Sequence, residues 1–414
     1  MRAARERGFD LIGEPRLVRL NPNIPWKTRG NGALSARFGH GVGPRRRIGE
    51  IGGRPVFAFS RSGPVGRSEA RQLMEAAWRV VREQSDSSVA GTDPALVAAF
   101  RPPPATFYWR AVREVVDLAP VRRWVRAHGM WSRTAGSRRG LIGATASLAW
   151  RGEHVTWELL AYRTPGRVGS RRELSAVGIR RAARRWPRLF LCYDRRTRRL
   201  LVAPHTACPI LFGLRSTDAR SPIAALGTFR SEPIDRWLLF RTNQATGDHL
   251  VTRSVTSFAP FTAARLLGRV AAIPTVRPGG HVTVPLRDSA GNLIDCVAFE
   301  PTKTLPGLAQ SLRPGDRIRV WGSRADDPVC RIEGIEVLSW SQRLSPPRPP
   351  RCPKCRRSAS SIGAQKGYRC SACGSRFPPE SATRLLLQAP SFPLGIYHPT
   401  PSARRHLAPR GPER

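Results

Sequence analysis

Apolar positions recur with both strand-like and helix-like spacings through residues 1–262, which predicts an α+β region without internal repeats. Residues 15–20 predict a strand that leads into a loop at 21–32, and a second extended segment follows at 33–38. Helical spacing over residues 68–84 predicts an amphipathic helix with Ser68 as its N-cap. The other predicted elements are helices at 107–118 and 171–186, a strand at 157–163 and a hairpin across 195–197.

The pattern changes after residue 265 to short β runs separated by Gly- and Pro-containing turns. Five such runs in about 75 residues predict a small Greek-key barrel of the oligonucleotide-binding (OB) kind at 265–341. A Pro-rich linker follows, and residues 379–414 are predicted to form a basic C-terminal tail. The five runs are 266–272, 281–288, 292–299, 316–322 and 332–340.

Four cysteines form two C-x-x-C pairs at Cys352, Cys355, Cys370 and Cys373, within a segment predicted as a zinc ribbon at 349–378. Two such pairs present four thiolates on tight turns, which is the arrangement of a tetrahedral structural Zn²⁺ site. The segment is too short to bury a core, so the metal supplies folding free energy on the order of 10 kcal/mol. The alternative is a pair of disulfides, which an intracellular location disfavours.

The charge balance favours a polyanionic partner. Lys and Arg total 70 against 29 Asp and Glu, which gives a formal net charge of +41. Such a surface binds phosphate backbones by counterion release, so nucleic acid is the favoured partner and an anionic membrane is the competing one. The sequence has neither an apolar run long enough to span a bilayer nor an apolar signal-peptide core, and we therefore predict a cytoplasmic protein without a membrane partner.

The loop after the first predicted strand carries candidate phosphate ligands, because backbone N–H groups and a cation meet on a glycine-containing turn. Arg19 and Asn21 lie at the end of the same strand, although Asn21 before Pro22 also fits a simple turn. A second basic glycine turn supplies further candidates, whose glycines equally permit close packing. The candidate nucleotide-binding residues are Arg19, Asn21, Lys27, Thr28, Arg29, Gly30, Asn31, Arg139, Gly140 and Gly143.

Candidate RNA contacts lie in the predicted barrel and in the C-terminal tail. Trp321 offers a stacking surface for an unpaired base, or faces the barrel core. Acids that could hold a cationic substrate are Glu114, Asp117, Glu158, Asp194, Glu232 and Asp235, most of which are expected to pair with local arginines. The predicted RNA-binding residues are Arg269, Arg317, Arg319, Trp321, Arg404, Arg405 and His406.

Several strings closely resemble the archaeal tRNA-isoleucine 2-agmatinylcytidine synthetase family, TiaS. The first is PRLVRLNPNIPWKTRGNGALS at 15–35, and the matches continue in family order to the C-terminal end. Others are RRGLIGATA at 138–146, PHTACPILFGLR at 204–215, RTNQATGDHL at 241–250 and PSARRHL at 401–407.

The resemblance implies an α+β multidomain enzyme that modifies the wobble cytidine of an isoleucine tRNA with a CAU anticodon. Family members activate the C2 oxygen of that base with ATP and Mg²⁺ and replace it with agmatine. The implied architecture is a kinase-like catalytic region at 1–165, a ferredoxin-like region at 166–262, an OB fold and a zinc ribbon.

One departure leaves a second hypothesis open. The family pattern begins with an Asp-Asp-Thr-Asp-Ser strand and a Cys-Thr-Thr helix, whereas this sequence opens beyond both, so the kinase-like region is expected to be N-terminally truncated. We interpret this as a start codon assigned too far downstream. The alternative is a non-catalytic RNA-binding protein that has lost the kinase elements.

Overall fold

The computed structural model describes most of the chain and contains two large sheets, a cluster of helices and a small ribbon. Within the described part, no helix is both long and apolar enough to cross a membrane. The described residues are 1–27, 31–86, 88–89, 91–342, 348–382 and 392–411.

Strands and helices alternate irregularly through the first 252 residues, as the apolar pattern predicts. The elements are α1 (Arg2–Arg5), β1 (Asp10–Arg19), β2 (Gly32–Gly39), β3 (Gly41–Ile51), β4 (Arg54–Ser62), α2 (Arg67–Gln84), β5 (Ala95–Ala98), α3 (Thr106–Arg113), α4 (Leu118–Ala127), β6 (Trp131–Thr134), α5 (Gly140–Ala149), β7 (Thr156–Arg163), α6 (Ala176–Arg185), β8 (Leu189–Phe190), β9 (Tyr193–Asp194), β10 (Arg199–Leu200), β11 (Ile210–Ser216), α7 (Arg220–Ala225), β12 (Ile234–Thr242) and β13 (Leu250–Thr252).

The rest of the described chain is mostly β structure. Short 3₁₀ turns occur at Pro165–Arg167, Glu300–Thr302, Pro379–Ser381 and Pro401–Ala403. The elements are β14 (Ala263–Val270), β15 (Thr275–Arg277), β16 (His281–Arg287), β17 (Leu293–Ala298), α8 (Thr304–Ser311), β18 (Arg317–Ser323), β19 (Cys330–Ser339), β20 (Ser360–Ser361), β21 (Tyr368–Arg369), β22 (Arg376–Phe377) and β23 (Gly395–Tyr397).

The first large sheet joins strands that are far apart in sequence. Its order is β2-β1-β4-β3-β12-β7-β11-β8, and β1 also pairs with β12. Strand β1 runs parallel to β4 at one end, where Leu11 lies opposite Ala58, and parallel to β12 at the other, where Leu17 lies opposite Thr242. The regions predicted as kinase-like and ferredoxin-like therefore share one sheet.

Helices α3, α4 and α5 form a separate core at the end of β1. Tyr108 and Trp150 are almost fully buried there, together with Val18 from β1. Burying each large side chain stabilises the fold by roughly 2 to 3 kcal/mol. Leu407 also belongs to this core, so the end of the chain returns to the helices of its first half.

The prediction of a five-stranded barrel is confirmed. Strands β14, β18, β19, β17 and β16 pair in that order, and β16 closes the barrel by pairing with β14. Helix α8 lies between the third and fourth of these strands along the chain. The interior of the barrel is apolar. It includes the buried thiols of Cys296 and Cys330, which lie opposite each other on β17 and β19.

The structure corrects several local predictions. Ser68 is not the N-cap of α2, because the helix begins one residue earlier and Glu69 accepts a hydrogen bond from the Gly66 N–H instead. Helix α3 ends at Arg113 rather than 118, before the turn that leads into α4. Residues 392–411 are not an unattached tail, since β23 pairs with β19 of the barrel.

The approach of β18 to β19 provides a test of the barrel packing. A Cβ at Gly334 would lie 2.2 Å from Cζ2 of the buried Trp321 indole. We expect Gly334→Ala to lower stability by about 1 to 3 kcal/mol through overpacking, seen as a lower thermal midpoint. Gly307→Ala in α8 is the matched control, because its Cβ meets nothing within 4 Å and should raise helix stability by up to about 1 kcal/mol. Equal midpoints for the two variants would contradict the packing described.

Candidate active site and RNA-binding surface

A cavity of about 240 Å³ opens where β1 ends and the C-terminal segment crosses it. Its wall combines aliphatic side chains with cationic ones, and none of the residues that line it carries a carboxylate. A cationic cavity of this size suits the phosphates of a small anionic ligand. The lining residues are Arg19, Leu20, Pro22, Lys27, Arg405, His406 and Leu407.

Asn21 holds the loop that borders this cavity. Its side chain is buried and donates to the carbonyl oxygens of Phe261 at 2.8 Å and Glu114 at 3.1 Å. Its Oδ1 accepts from the Asn23 N–H at 2.9 Å. Both amide hydrogens are thus used inside the protein, which matches the turn interpretation and removes Asn21 from direct ligand contact. Asn31 also supports the loop, donating to the Asn21 carbonyl at 2.7 Å.

Lys27 contributes a cation to the cavity, but one already tied to the protein. Its Nζ donates to the Ile24 carbonyl at 3.0 Å. Partial burial, followed by the charge of Arg405, lowers the pKa of Lys27 below its ordinary value. Thr28, Arg29 and Gly30, the other predicted ligands of this loop, lie outside the described residues.

Behind Arg19 lies a buried polar network that links the cavity to strand β7. Glu158 is buried and pairs with Arg215 at 3.1 Å, and its other oxygen accepts from Gln244. Burial lowers the pKa of Arg19, the carboxylate of Glu158 opposes this shift, and Arg215 adds to it. Glu158 therefore holds Arg215 directly, and the charges of both residues act on Arg19.

Four of the other five acids considered from the sequence have partners elsewhere in the protein. Glu232 is fully buried in an ion pair with Arg163, and Asp194 accepts from the Ser402 N–H at 3.0 Å. Glu114 and Asp235 pair with neighbouring arginines at the surface, as expected. Asp117 occupies the N-cap position of α4 but makes no side-chain cap hydrogen bond.

His406 faces this network from the C-terminal segment. Its Nδ1 lies 3.1 Å from Oε1 of Gln244, and its backbone carbonyl accepts from the Ala245 N–H at 2.7 Å. Packing of the imidazole, together with the charges of Arg19 and Arg215, lowers the pKa of His406. The ring is therefore neutral near neutral pH.

Arg405 connects the barrel with the loop beside the cavity. It pairs with Glu333 of β19 at 3.2 Å and also donates to the side chain of Asn23. Nε2 of the buried His249 lies 3.1 Å from the other oxygen of Glu333. Burial opposes ionisation of Glu333, but Arg405 and His249 outweigh it and lower the pKa of this carboxyl to about 2.

The C-terminal residues predicted as RNA contacts thus have contacts inside the protein. Arg404 donates to the carbonyls of Pro399 and Gly411, while Arg405 and His406 line the cavity. Nothing in the sequence indicates that Leu407 packs into the core of α3, α4 and α5. The contacts that its neighbours make inside the protein were therefore not predicted. The predicted basic tail is thus packed against the rest of the fold at this position.

Close packing explains the glycines in the first half of α5. A Cβ at Gly140 would lie 2.0 Å from the Asp93 carbonyl oxygen, and one at Gly143 would lie 3.2 Å from Cδ1 of Leu20. Both positions therefore satisfy the close-packing interpretation. Arg139 precedes the helix and places its guanidinium 4.3 Å from the ring centre of the exposed Trp26.

Strands β14 and β18 present a basic outer face. Arg269 lies opposite Arg317 in the ladder, and Arg319 follows two residues later on the same side. The exposed part of Arg319 also pairs with Glu336. Trp321 does not extend this face as a stacking platform, because its indole is buried against Leu250 and Ala263. The prediction of Trp321 as an RNA contact is therefore corrected, and the alternative of the barrel core is not met either, because the indole belongs to a small cluster separate from the barrel interior.

The four ribbon cysteines come together as the spacing predicts. All four Sγ atoms lie within 4.8 Å of one another, with Cys352 to Cys373 and Cys355 to Cys370 both at 3.4 Å. Tetrahedral Zn–S bonds of about 2.3 Å place sulfur atoms about 3.8 Å apart, so the four thiols fit a zinc ion. A three-stranded sheet, β20-β21-β22, supports the two turns.

Comparison with known proteins covers most of the chain. Family sequence models match as the TiaS TCKD domain at residues 1–136, the TiaS FLD domain at 138–249 and the TiaS C-terminal zinc ribbon at 349–384. TiaS of Methanosarcina acetivorans, the 2-agmatinylcytidine synthetase for isoleucine-2 tRNA, is 32% identical over 406 residues, covering 95% of this chain and 88% of that protein. The chain belongs to the TiaS family.

Other TiaS proteins extend the comparison. The enzyme of the same name from Methanopyrus kandleri is 33% identical, over 97% of this chain and 89% of its own length. Among solved structures, the complex of TiaS with isoleucine-2 tRNA and ATP gives a TM-score of 0.83 at 28% identity, covering 98% of this chain and 90% of that chain. The complex of TiaS with the same tRNA, AMPCPP and agmatine gives 0.79 at 27% identity, with the same coverage.

The Glu333 cluster makes stability depend on pH. Its carboxyl titrates near pH 2 in the folded protein against an ordinary 4.5, so the stabilisation is complete above pH 4.5 and disappears as pH falls towards 2. Glu333→Gln should lower stability by about 3 kcal/mol at pH 7, and the deficit should shrink between pH 4.5 and 3. Thermal midpoints of both proteins across this range measure it. Glu300→Gln, in an exposed pair with Lys303, is the control, and a deficit independent of pH would contradict the assignment.

The TiaS zinc ribbon supplies a second test. Purified protein should contain about one Zn²⁺ per chain by elemental analysis, and Cys370→Ser should lose it because three thiolates bind zinc far more weakly than four. Cys208→Ser, a cysteine outside the ribbon, should retain the metal. Zinc content that is equal in the two variants would exclude the four-cysteine site.

Proposed function

We propose that this protein is an ATP-dependent carbon–nitrogen ligase that joins agmatine to C2 of the wobble cytidine in isoleucine tRNA with a CAU anticodon. The product is agmatidine, which allows the codon AUA to be decoded. The observation that carries the proposal is the similarity of 98% of the chain to TiaS structures solved with isoleucine-2 tRNA, ATP and agmatine. The cationic cavity at the end of β1 is consistent with it.

We assign the cavity to phosphate recognition. Arg19 and Lys27 supply positive charge to the cavity wall, which contains no carboxylate, and partial burial followed by the charge of Arg405 lowers the pKa of Lys27. Asn21 and Asn31 position the loop through buried hydrogen bonds. Arg139 at the start of α5 completes the proposed nucleotide-binding set, together with Thr28, Arg29 and Gly30 of the loop at 21–32.

The reaction divides naturally between positioning and charge. A ring oxygen is a poor leaving group, so its phosphorylation must come before the amine attacks C2, and this step needs positive charge around the transferring phosphoryl group. The backbone of Arg19 is fixed by two hydrogen bonds with the side chain of Asn243, at 2.7 and 2.9 Å, so its position in the strand is set before a ligand arrives. None of the described residues lining the cavity is a carboxylate, so no residue there is assigned to the Mg²⁺ that accompanies ATP.

The barrel and the ribbon are proposed to hold the tRNA. The barrel at 265–341 is proposed as an OB fold whose face with Arg269, Arg317 and Arg319 contacts the phosphate backbone. The region 1–165 is proposed to be kinase-like and 166–262 ferredoxin-like, with the ribbon at 349–378 as a further RNA-binding element. Arg405 and His406, which line the cavity, and the adjacent Arg404 are proposed to contact the tRNA where it meets the nucleotide.

The proposal is tested by incubating the purified chain with ATP, agmatine, Mg²⁺ and a tRNA transcript with a CAU anticodon. Mass spectrometry of the digested tRNA should show cytidine converted to its agmatine adduct with loss of water. Lys27→Met should reduce the rate at least about tenfold, because one cation near the phosphates is lost. Tight binding of the tRNA without any adduct would favour the non-catalytic RNA-binding hypothesis, and absence of both would exclude the proposed function.

A further inference from the structure

The loop at residues 246–250 fixes cationic side chains from separate parts of the fold. Nε of Arg113, the last residue of α3, donates to the Asp248 carbonyl at 3.0 Å. Nη1 of Arg265, from barrel strand β14, donates to the Leu250 carbonyl at 3.3 Å. His154 reaches the same loop from the segment between α5 and β7, with Nδ1 2.8 Å from the Asp248 carboxylate.

Asp248 is the buried anchor of this arrangement. Its carboxylate is almost fully inaccessible and also accepts a hydrogen bond from the hydroxyl of Tyr108, which is itself buried. Asn243 donates to the same Tyr108 hydroxyl at 2.8 Å and to the Arg19 carbonyl at 2.9 Å. A continuous set of hydrogen bonds therefore runs from the strand beside the cavity to the exposed imidazole of His154, whose side chain is 63% accessible.

Arg113 is oriented as well as charged. Its guanidinium carbon lies 4.0 Å from the ring centre of Trp109, so the cation rests on an indole face while Nε is held by Asp248. A guanidinium fixed in this way can stack on an unpaired base on its other side and still donate to a phosphate. His154 lies edge-on to the same indole, at 6.5 Å between ring centres.

The barrel continues this basic surface. Arg265 lies on the same side of β14 as Arg269, and β14 pairs with β18, the strand that carries Arg319. Burial, followed by the charges of Arg319 and Arg113, lowers the pKa of Arg265. The charges of α3 and of the barrel thus act on one another, and together they span the junction between the first sheet and the barrel.

We propose that Trp109, Arg113, His154 and Arg265 form an RNA-binding surface, on which Arg113 stacks against an unpaired base of the tRNA and donates to a phosphate, while His154 and Arg265 contact further phosphates. The inference rests on the proposed function, which makes tRNA the substrate. It names a contact surface outside the cavity and outside the residues assigned from the sequence. RNA is the partner chosen because cations combined with a planar stacking group suit looped nucleic acid, whereas a membrane would call for an apolar face.

The experiment measures binding of the CAU-anticodon tRNA transcript at several salt concentrations, without ATP or agmatine. Arg113→Ala should weaken binding about 5- to 150-fold through loss of stacking. It should also flatten the plot of log affinity against log salt by about 0.7 to 0.9, since one phosphate contact is lost. Arg113→Lys should restore the salt slope but remain about fivefold or more weaker, because an ammonium group does not stack.

Arg181→Ala is the matched control, since Arg181 is an exposed arginine of α6 outside this surface. It should leave the affinity close to that of the parent chain. Equal losses in Arg181→Ala and Arg113→Ala, or an Arg113→Lys variant with parental affinity, would overturn the proposal. Thermal midpoints establish that each variant is folded. A parent chain that fails to bind tRNA counts against the proposed function, whereas a parent chain that binds and an Arg113→Ala variant that binds equally count only against this surface.

Discussion

The return of residues 405–407 to the end of β1 is the contact on which the rest of the structure depends. Leu407 fills the core formed by α3, α4 and α5, and Arg405 is held by Glu333 of the barrel. The same short segment places His406 against Gln244 and closes the cavity wall. One stretch of chain therefore joins the helices, the first sheet and the barrel, and the cavity exists only because all three are held together.

Arginine has two separate uses in this highly basic protein. Some guanidinium groups are structural, such as Arg163 with Glu232 and Arg215 with Glu158, where a buried carboxylate compensates the charge. Others, such as Arg317 on the barrel, remain at the surface without such a partner in the described contacts and give the outer face its positive potential. The net charge of +41 predicts a polyanionic ligand, but it does not distinguish these two populations.

The sequence pattern predicted the features that depend on residues close together along the chain. Alternation identified the barrel strands, and the C-x-x-C spacing brought the four thiols together, because both signals act over a few residues. The pairing of β1 with β12 and the burial of Leu407 depend on contacts more than 200 residues apart, for which a single sequence carries no local signal.

The role of a side chain was hardest to predict where the residue fits both a ligand contact and a structural position. The position of Trp321 on its strand fits either a stacking surface or a buried site, and only the structure shows that Leu250 and Ala263 cover it in a cluster separate from the barrel interior. Asn21 fits both a ligand contact and a turn, and the carbonyls of Phe261 and Glu114 that use its amide are distant in sequence. A lone acid on an otherwise apolar strand, Glu158, was the one available sign of the buried network behind Arg19.

The position of the segment that closes the cavity also determines when the protein can first become functional during synthesis. Contacts of such long sequence separation form late, because loop closure must precede the gain from packing. While the ribosome is still adding residues before 405, β1 and its helices lack Leu407 and the cavity lacks one wall. A nascent chain can therefore form the barrel strands at 263–339 first, yet it acquires a complete ligand cavity only after residues 405–407 have been added.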